Sequence, residues 1–552
     1  MTFMRIHFFL LLLLTATLSL AQTDVGPWIA DQGDGTYRNP ILFADYSDPD
    51  LCRVGDDYYM TASSFQCLPG LPILHSKDLV NWELIGHAVE HLEPREVYDR
   101  PDHGNGIWAP AMRHHEGTFY IYYGDPNYGI FMVSAEDPAG PWSEPHLVQG
   151  GRGWIDPCPF WDEDGNAYLV HAWAGSRAGI KSVLMMHRMS PDGKRLLGDP
   201  VVIFDGHQDN GTVEGPKMYQ ANGWYYVFAP AGGVSTGWQL VLRARDPFGP
   251  YEWRTVLAQG DTDINGPHQG GWVETPLGEH WFVHFQDRDA YGRLVHLQPM
   301  RWTDGWPVIG EDKDGDGVGE PVRSYRKPKV VVEQPVMVPL TSDEFNEPQI
   351  GLQWQWHANP HPKWGYASGY LGYLRLNARP LPEDLPNLWT LPHMLLQKFP
   401  AETFTATAKL DFHANFAGER IGLMVMGRDY AYLSLGQEDG KLVLHQRSCT
   451  EAESGAAEVT HGSVDYTEGS GQAVPAGEEN PLSASIYLRV TVDEGAVCTF
   501  SYSEDGKKFQ TIGEPFTARE GKWIGAKVGF FCTREGVINN AGYVDVDWFR
   551  VQ

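Results

Sequence analysis

The stretch EGPKMYQANGWYYVFAP, residues 214–230, opens on a carboxylate, passes Gly215 and Pro216, and runs into two short aromatic strands joined by a turn. A charge at the mouth of a strand destined for a buried sheet is costly unless it has a use. The same grammar recurs in DPDLCRVGDDYYMTASS (48–64), WAPAMRHHEGTFYIYYG (108–124), DPCPFWDEDGNAYLVHAW (156–173) and GPHQGGWVETPLGEHWFVHFQ (266–286). Each copy has a polar or Pro-containing start, a short strand, a Gly- or Asp-containing turn and an aromatic strand. Successive starts lie 60, 48, 58 and 52 residues apart, close to the length of one four-stranded propeller blade. Matching edge turns, SAEDPAGPWSE (134–144) and RARDPFGPYEW (243–253), with a looser HSKDLVNWE (75–83), supply the outer strands. The expectation is an all-β chain whose residues 36–323 form a five-bladed β-propeller.

In a propeller the first strand of each blade lines the central axis, so equivalent strand starts converge on one axial mouth. Asp48, Asp156 and Glu214 hold such starts on three blades. Clustered like charges raise one another's pKa and lose solvation, which makes a functional reading of the trio better than three unrelated turn residues. One carboxylate to activate water, a second to protonate a departing oxygen and a third to hold the second's proton are the parts of inverting glycoside hydrolysis.

The chain has 552 residues, more than one compact domain holds. The segment RSYRKPKVVVEQP (323–335) marks a shift to a Lys-, Val- and Pro-rich connector, read as a linker over 324–339. Beyond it, 340–552 alternates as FTATAKLDF, YAYLSLGQ, IYLRVTVDEGAVCTFSYS and GYVDVDWFRVQ, apolar-in and polar-out, the pattern of a β-sandwich. SCTEAESGAAEVTHGSVDYTEGSGQAVPAGEEN (448–480) reads as an exposed loop. Lys and Arg number 42 against 71 Asp and Glu, a net charge of −29, which argues against nucleic acid as partner. MTFMRIHFFLLLLLTATLSLAQ joins Arg5 to an apolar run and small residues at Ser19 and Ala21. This is the pattern of a secretory signal over 1–21, with a secreted or periplasmic product and no membrane insertion after cleavage. Six cysteines are too few for a disulfide framework; Cys52 and Cys67 either bridge or stay as free thiols.

NPILFADYSDPDLCRVGDDYYM, WIDPCPFWDEDGNAYLV and TVEGPKMYQANGWYYVF, with LPILHSKDLVNWELIGHA and GIWAPAMRHHEGTFYIYYG, resemble glycoside hydrolase family 43, the inverting arabinofuranosidases and β-xylosidases, over almost all of the mature length. The resemblance implies Asp48 as general base, Asp156 as pKa modulator and Glu214 as general acid. It also implies a concanavalin-like, jelly-roll sandwich that packs on the propeller and helps close the pocket. His268 in INGPHQGGWVET is implied to lie near the axis, beside the substrate or reaching a structural calcium; a buried structural histidine is the alternative. Arg293 is similar to an arginine facing the sugar. Phe65 and Trp108 are candidate walls for a sugar face, with core packing as the rival.

No cofactor is required by this chemistry. The expected partners are plant cell-wall oligosaccharides or polysaccharide side chains. The expected activity is exo-release of terminal α-L-arabinofuranose ahead of β-D-xylose; a glycan-binding propeller without catalysis and a retaining fructan hydrolase are the alternatives. Two further motifs are read as structural. DKDGDGVGE (312–320) has the front of a calcium loop but Arg323 at its twelfth position, and Arg245–Asp246–Pro247 belongs to the repeated edge turn.

Overall fold

The computed structural model describes residues 26–382, 384–466, 479–536 and 540–552; the leader expected over 1–21 lies outside them. Five antiparallel sheets of four strands follow one another, starting with the strands Asp50–Val54, Ala111–His115, Trp154–Trp161, Lys217–Ala221 and His268–Glu274. Within each sheet the strands pair in chain order, and neighbouring first strands touch around the ring. This is a five-bladed β-propeller. Its blades pack on one another through buried rows such as Tyr58, Met60 and Trp281, or Val170, Met218 and Val227, because every strand alternates one apolar face toward each neighbouring blade.

The ring closes through the segment before the first blade. Ile41 donates its N–H to Val295 O at 2.8 Å and Tyr46 donates to Arg293 O at 3.2 Å. The fifth blade's last strand, Trp306–Ile309, pairs only with the far end of Arg293–Thr303, so the near end is left for the incoming chain. A small sheet of Thr36–Arg38 with Ser324–Arg326 ties the entry of the propeller to its exit.

After the connector the chain forms a concanavalin-like sandwich of two sheets around one apolar core containing Leu410, Phe412, Leu423, Val490, Phe530 and Phe549. Strand Val459–Asp465, inside the segment expected to be an exposed loop, instead pairs with Lys441–Cys449 at the sheet's edge. Glu458 just before it accepts the hydroxyls of Tyr430 and Tyr432 at 2.8 and 2.7 Å. An edge strand needs backbone pairing more than an apolar face, so its polar sequence hid it; residues 467–478 of that segment lie outside the described ones.

The sandwich seats on the propeller. Leu68 and Trp356 exchange backbone hydrogen bonds at 3.0 and 2.6 Å, and Ala526 donates to Ala290 O at 2.7 Å. Gly292 and Gly525 allow a close approach: a Cβ on Gly292 would meet Gly525 N at 2.6 Å. All six cysteines are free, with Cys52 and Cys67 in separate apolar clusters, so those two do not bridge. Asp312, Asp314 and Asp316 bring carboxylate oxygens within 4.8 Å of one another, away from the axis, while Arg323 pairs with Asp263. Arg245 donates to Gly223 O and stacks on Trp224 at 3.7 Å, an edge-turn brace. Among the described residues no helix is long and apolar enough to cross a membrane.

Candidate active site

The axial mouth on the sandwich side opens into a cavity of about 310 Å³ lined by Asp48, Phe65, Trp108, Asp156, Glu214, Gln269, Arg293 and Trp523, among others. Six of the seven side chains expected from the sequence therefore reach one space. The backbone aims them by local left-handed turns. Asp48 has φ +53° and Asp156 φ +54°, in a region where non-glycine residues are uncommon and Asp is enriched. Pairing of Trp154–Trp161 slips between Ile155 and Cys158, a bulge that turns Asp156 out of the ladder. Gly215, φ +58°, follows Glu214, and a Cβ there would lie 2.7 Å from Gln269 Cγ. The motif glycine is thus fixed by both conformation and space.

The three carboxylates have unlike partners. Asp48 accepts an N–H of Arg293 on Oδ1 at 2.9 Å and the Ser63 hydroxyl on Oδ2 at 2.6 Å. Asp156 Oδ2 accepts the backbone N–H of Gly215 at 2.7 Å. Glu214 accepts no hydrogen bond among the described residues, and its Oε1 lies 3.5 Å from His268 Nε2. Burial, then the charges of Asp156 and Asp48, push the Glu214 carboxyl up to about 8. About a fifth of its side chain stays open to the cavity, and water on that face offsets part of the rise. Burial also raises Asp156, but the Lys217 ammonium and the Gly215 N–H oppose it. Both carboxyls are raised toward neutrality, and Glu214, which accepts no hydrogen bond that would oppose the rise, is raised further.

Arg293 is 6% exposed, so its ion pair with Asp48 is buried rather than the weak surface contact that was its rival reading. Phe65 is buried and lines the cavity, while Trp108, its indole N–H donated to Gly104 O at 2.9 Å, is half-buried. His268 departs from expectation. It is fully buried behind Glu214, absent from the cavity wall, with both ring nitrogens unpartnered, and burial pushes its pKa down to about 3. A neutral ring there backs the acid instead of touching a sugar. One nitrogen beside one carboxylate falls short of the six to eight oxygens calcium takes, and His268 belongs to no three-ligand cluster among the described residues.

The strand-start reading missed Trp523, Gln269 and Lys217. Trp523 comes from the sandwich, crosses Trp108 at 6.3 Å and faces the Arg293 guanidinium at 5.8 Å. Its loop is pinned where Gly525 donates to Asp45 Oδ2 at 3.1 Å and Ile524 packs on Phe65 and Cys67. Gln269, φ +37°, sits at a bulge in the fifth blade's first strand. Its place was legible in the repeat as the residue after His268.

Residues 37–307 match the model of "Glycosyl hydrolases family 43", and 342–552 match "Beta xylosidase C-terminal Concanavalin A-like domain". A putative beta-xylosidase of Xylanibacter ruminicola is 38% identical over 93% of this chain and 89% of its own length. A beta-xylosidase of Formosa agariphila is 34% identical over 97% and 93%. A non-reducing end alpha-L-arabinofuranosidase of Bacteroides ovatus is 28% identical over 95% and 97%. The crystal structure of a family 43 protein from Bacillus licheniformis superposes with a TM-score of 0.79 at 28% identity, covering 94% of this chain and 99% of that one. With its carboxylates on three blades and its sandwich closing the mouth, the chain belongs to glycoside hydrolase family 43.

Proposed function

We propose that the protein is an inverting exo-glycosidase that removes a terminal pentose from plant hemicellulose or arabinan side chains. Asp48 takes a proton from the attacking water, Glu214 gives one to the departing glycosidic oxygen, and Asp156 keeps that proton on Glu214 until the bond breaks. The reading rests on one observation: three carboxylates on one cavity, of which only Glu214 lacks a hydrogen-bond donor while sitting beside two other carboxyls. Neutral His268 behind Glu214 adds no charge that would pull the proton away.

A cavity of about 310 Å³ is at the small end of ligand pockets, suited to one sugar ring capped by Trp523 and therefore to chain ends. Sequence alone puts α-L-arabinofuranose first. The two relatives at 38% and 34% identity carry the name beta-xylosidase, one at 33% over about half of the chain carries the name xylosidase/arabinosidase and an arabinofuranosidase stands at 28%, so we place β-D-xylose first and arabinofuranose as the second activity. A leader directs the enzyme out of the cytoplasm, where such polymers are found. Turnover of nitrophenyl β-D-xylopyranoside and α-L-arabinofuranoside, with proton NMR of the first-formed anomer, tests the reading. Net retention of configuration, or equal rates for wild type and Glu214→Gln, would overturn it.

A further inference from the structure

The face of the sandwich that meets the propeller carries two lysines directly opposite each other. Strands Met394–Lys398 and Lys527–Arg534 pair antiparallel with Lys398 in register with Lys527. Like charges so placed are destabilising even on an exposed sheet, and here Lys527 is buried, 4% exposed, with Lys398 partly buried beside it. Both ammonium groups donate to the same neutral atom, Gln355 Oε1, each at 3.2 Å. Gln355 is held by its own amide, which donates to Pro69 O of the propeller at 2.8 Å. Each ammonium has three N–H donors, so one amide oxygen satisfies a fraction of them. Neither forms an ion pair among the described residues. Lys398 also lies 5.2 Å from the Tyr46 ring centre, a cation–π contact that leaves its charge in place.

The surroundings add a neutral donor and one carboxylate. His87 Nδ1 is buried and unpartnered; burial, then Lys398 and Lys527, push its pKa down to about 3. It lines the same cavity as Lys398, Gln355, Gln397 and Tyr46, about 60 Å³ in volume, where roughly 10–15 Å³ suffices for one water. Leu340 and Leu352, both exposed, line it too and mark a way in from solvent. Burial, then Lys527, push the Lys398 ammonium down to about 8, where it is still mostly charged at pH 7, against the pull of the propeller's Asp45, whose oxygens already accept Ser47 Oγ–H and the N–H groups of Arg293 and Gly525. Two ammonium groups against one carboxylate leave a single positive charge.

We propose that this junction is a binding site for a small monovalent inorganic anion of the halide class, held between Lys398 Nζ and Lys527 Nζ at the propeller–sandwich interface. The anion takes the unused N–H donors of both lysines, and His87 in its Nδ1–H form is a third donor. It binds the two domains in their docked arrangement and so steadies the loop that carries Trp523, since Lys527 begins the strand that this loop enters.

The test uses crystals of the full chain soaked in sodium bromide, with data collected at the bromine edge, and melting of the full chain at pH 7 in sodium chloride against sodium gluconate at equal ionic strength. The expected results are an anomalous peak in contact with both Nζ atoms and a melting temperature higher by roughly 2–4 °C in 0.1 M chloride. The chloride effect is expected to vanish in Lys398→Met/Lys527→Met. Absence of the bromide peak, or equal melting of the wild type in the two salts, overturns the proposal; these two measurements need no variant to fold.

Discussion

Gly215 donates its backbone N–H to Asp156 Oδ2 at 2.7 Å, so the residue that follows Glu214 on the fourth blade anchors the carboxylate of the third. The bond ties two blades together at the point where their charges meet. It also makes the two carboxyls unequal: Asp156 is held by a donor and Glu214 is not.

Glu214→Gln removes the carboxyl to which the proposed mechanism gives the protonation of the leaving group. Its kcat on a xyloside or arabinofuranoside with a poor leaving group should fall by about 10²–10⁴-fold. On a dinitrophenyl glycoside, whose leaving group needs no proton, the loss should be far smaller. Equal losses on both substrates would remove Glu214 from the acid role.

Activity should decline as pH rises past about 8, where Glu214 gives up its proton. Asp156 opposes ionisation of Glu214 through its negative charge, so Asp156→Asn should move the alkaline limb of the kcat/KM profile to lower pH. An unmoved limb would show that Asp156 acts on orientation alone.

The same elevation has a stability consequence. A carboxyl whose folded pKa is raised from 4.5 to about 8 favours the fold fully below 4.5 and loses that contribution as pH rises through 8. Glu214→Gln should therefore melt above wild type at pH 8, by a margin that shrinks toward pH 5. Calorimetric scans at the two pH values check the sign.

Asp50, fully buried on the axis, pairs with Arg113 at 2.7 Å and accepts the Met112 N–H at 2.8 Å. Asp50→Asn leaves the guanidinium buried without its counter-charge and should cost about 3–5 kcal/mol, read as a lower urea midpoint. An unchanged midpoint would mean that water reaches Arg113.

Trp523 is 47% exposed, so truncating it costs the fold little while removing one wall of the pocket. Trp523→Ala should lower kcat/KM by roughly 5–20-fold, about 1–2 kcal/mol, with the melting temperature nearly unchanged. A large drop in melting temperature would instead make the residue part of the domain interface.

The repeat exposed both the architecture and the three carboxylates, because a blade start is the same place in every copy and Asp48, Asp156 and Glu214 occupy it. What stayed hidden had no periodicity to betray it. Trp523 stands 476 residues from Ser47, whose hydroxyl donates to its carbonyl at 3.4 Å. Lys398 and Lys527 look like ordinary strand-end cations until register sets them face to face. His268 lies two residues past the start of the fifth repeat, and its depth behind Glu214 depends on a bulge one residue later.

The order of residues alone determined a ring of five blades, the mouth where its acidic starts meet and the two-domain plan, since hydrophobic alternation and turn chemistry act over a few residues and repeat. Only the folded chain decided which carboxyl holds a proton, which aromatic caps the pocket and where two ammonium groups share one acceptor. Those outcomes depend on burial and on distances between side chains far apart in sequence, and electrostatic free energy in a low-dielectric interior follows spatial separation, not position along the polymer.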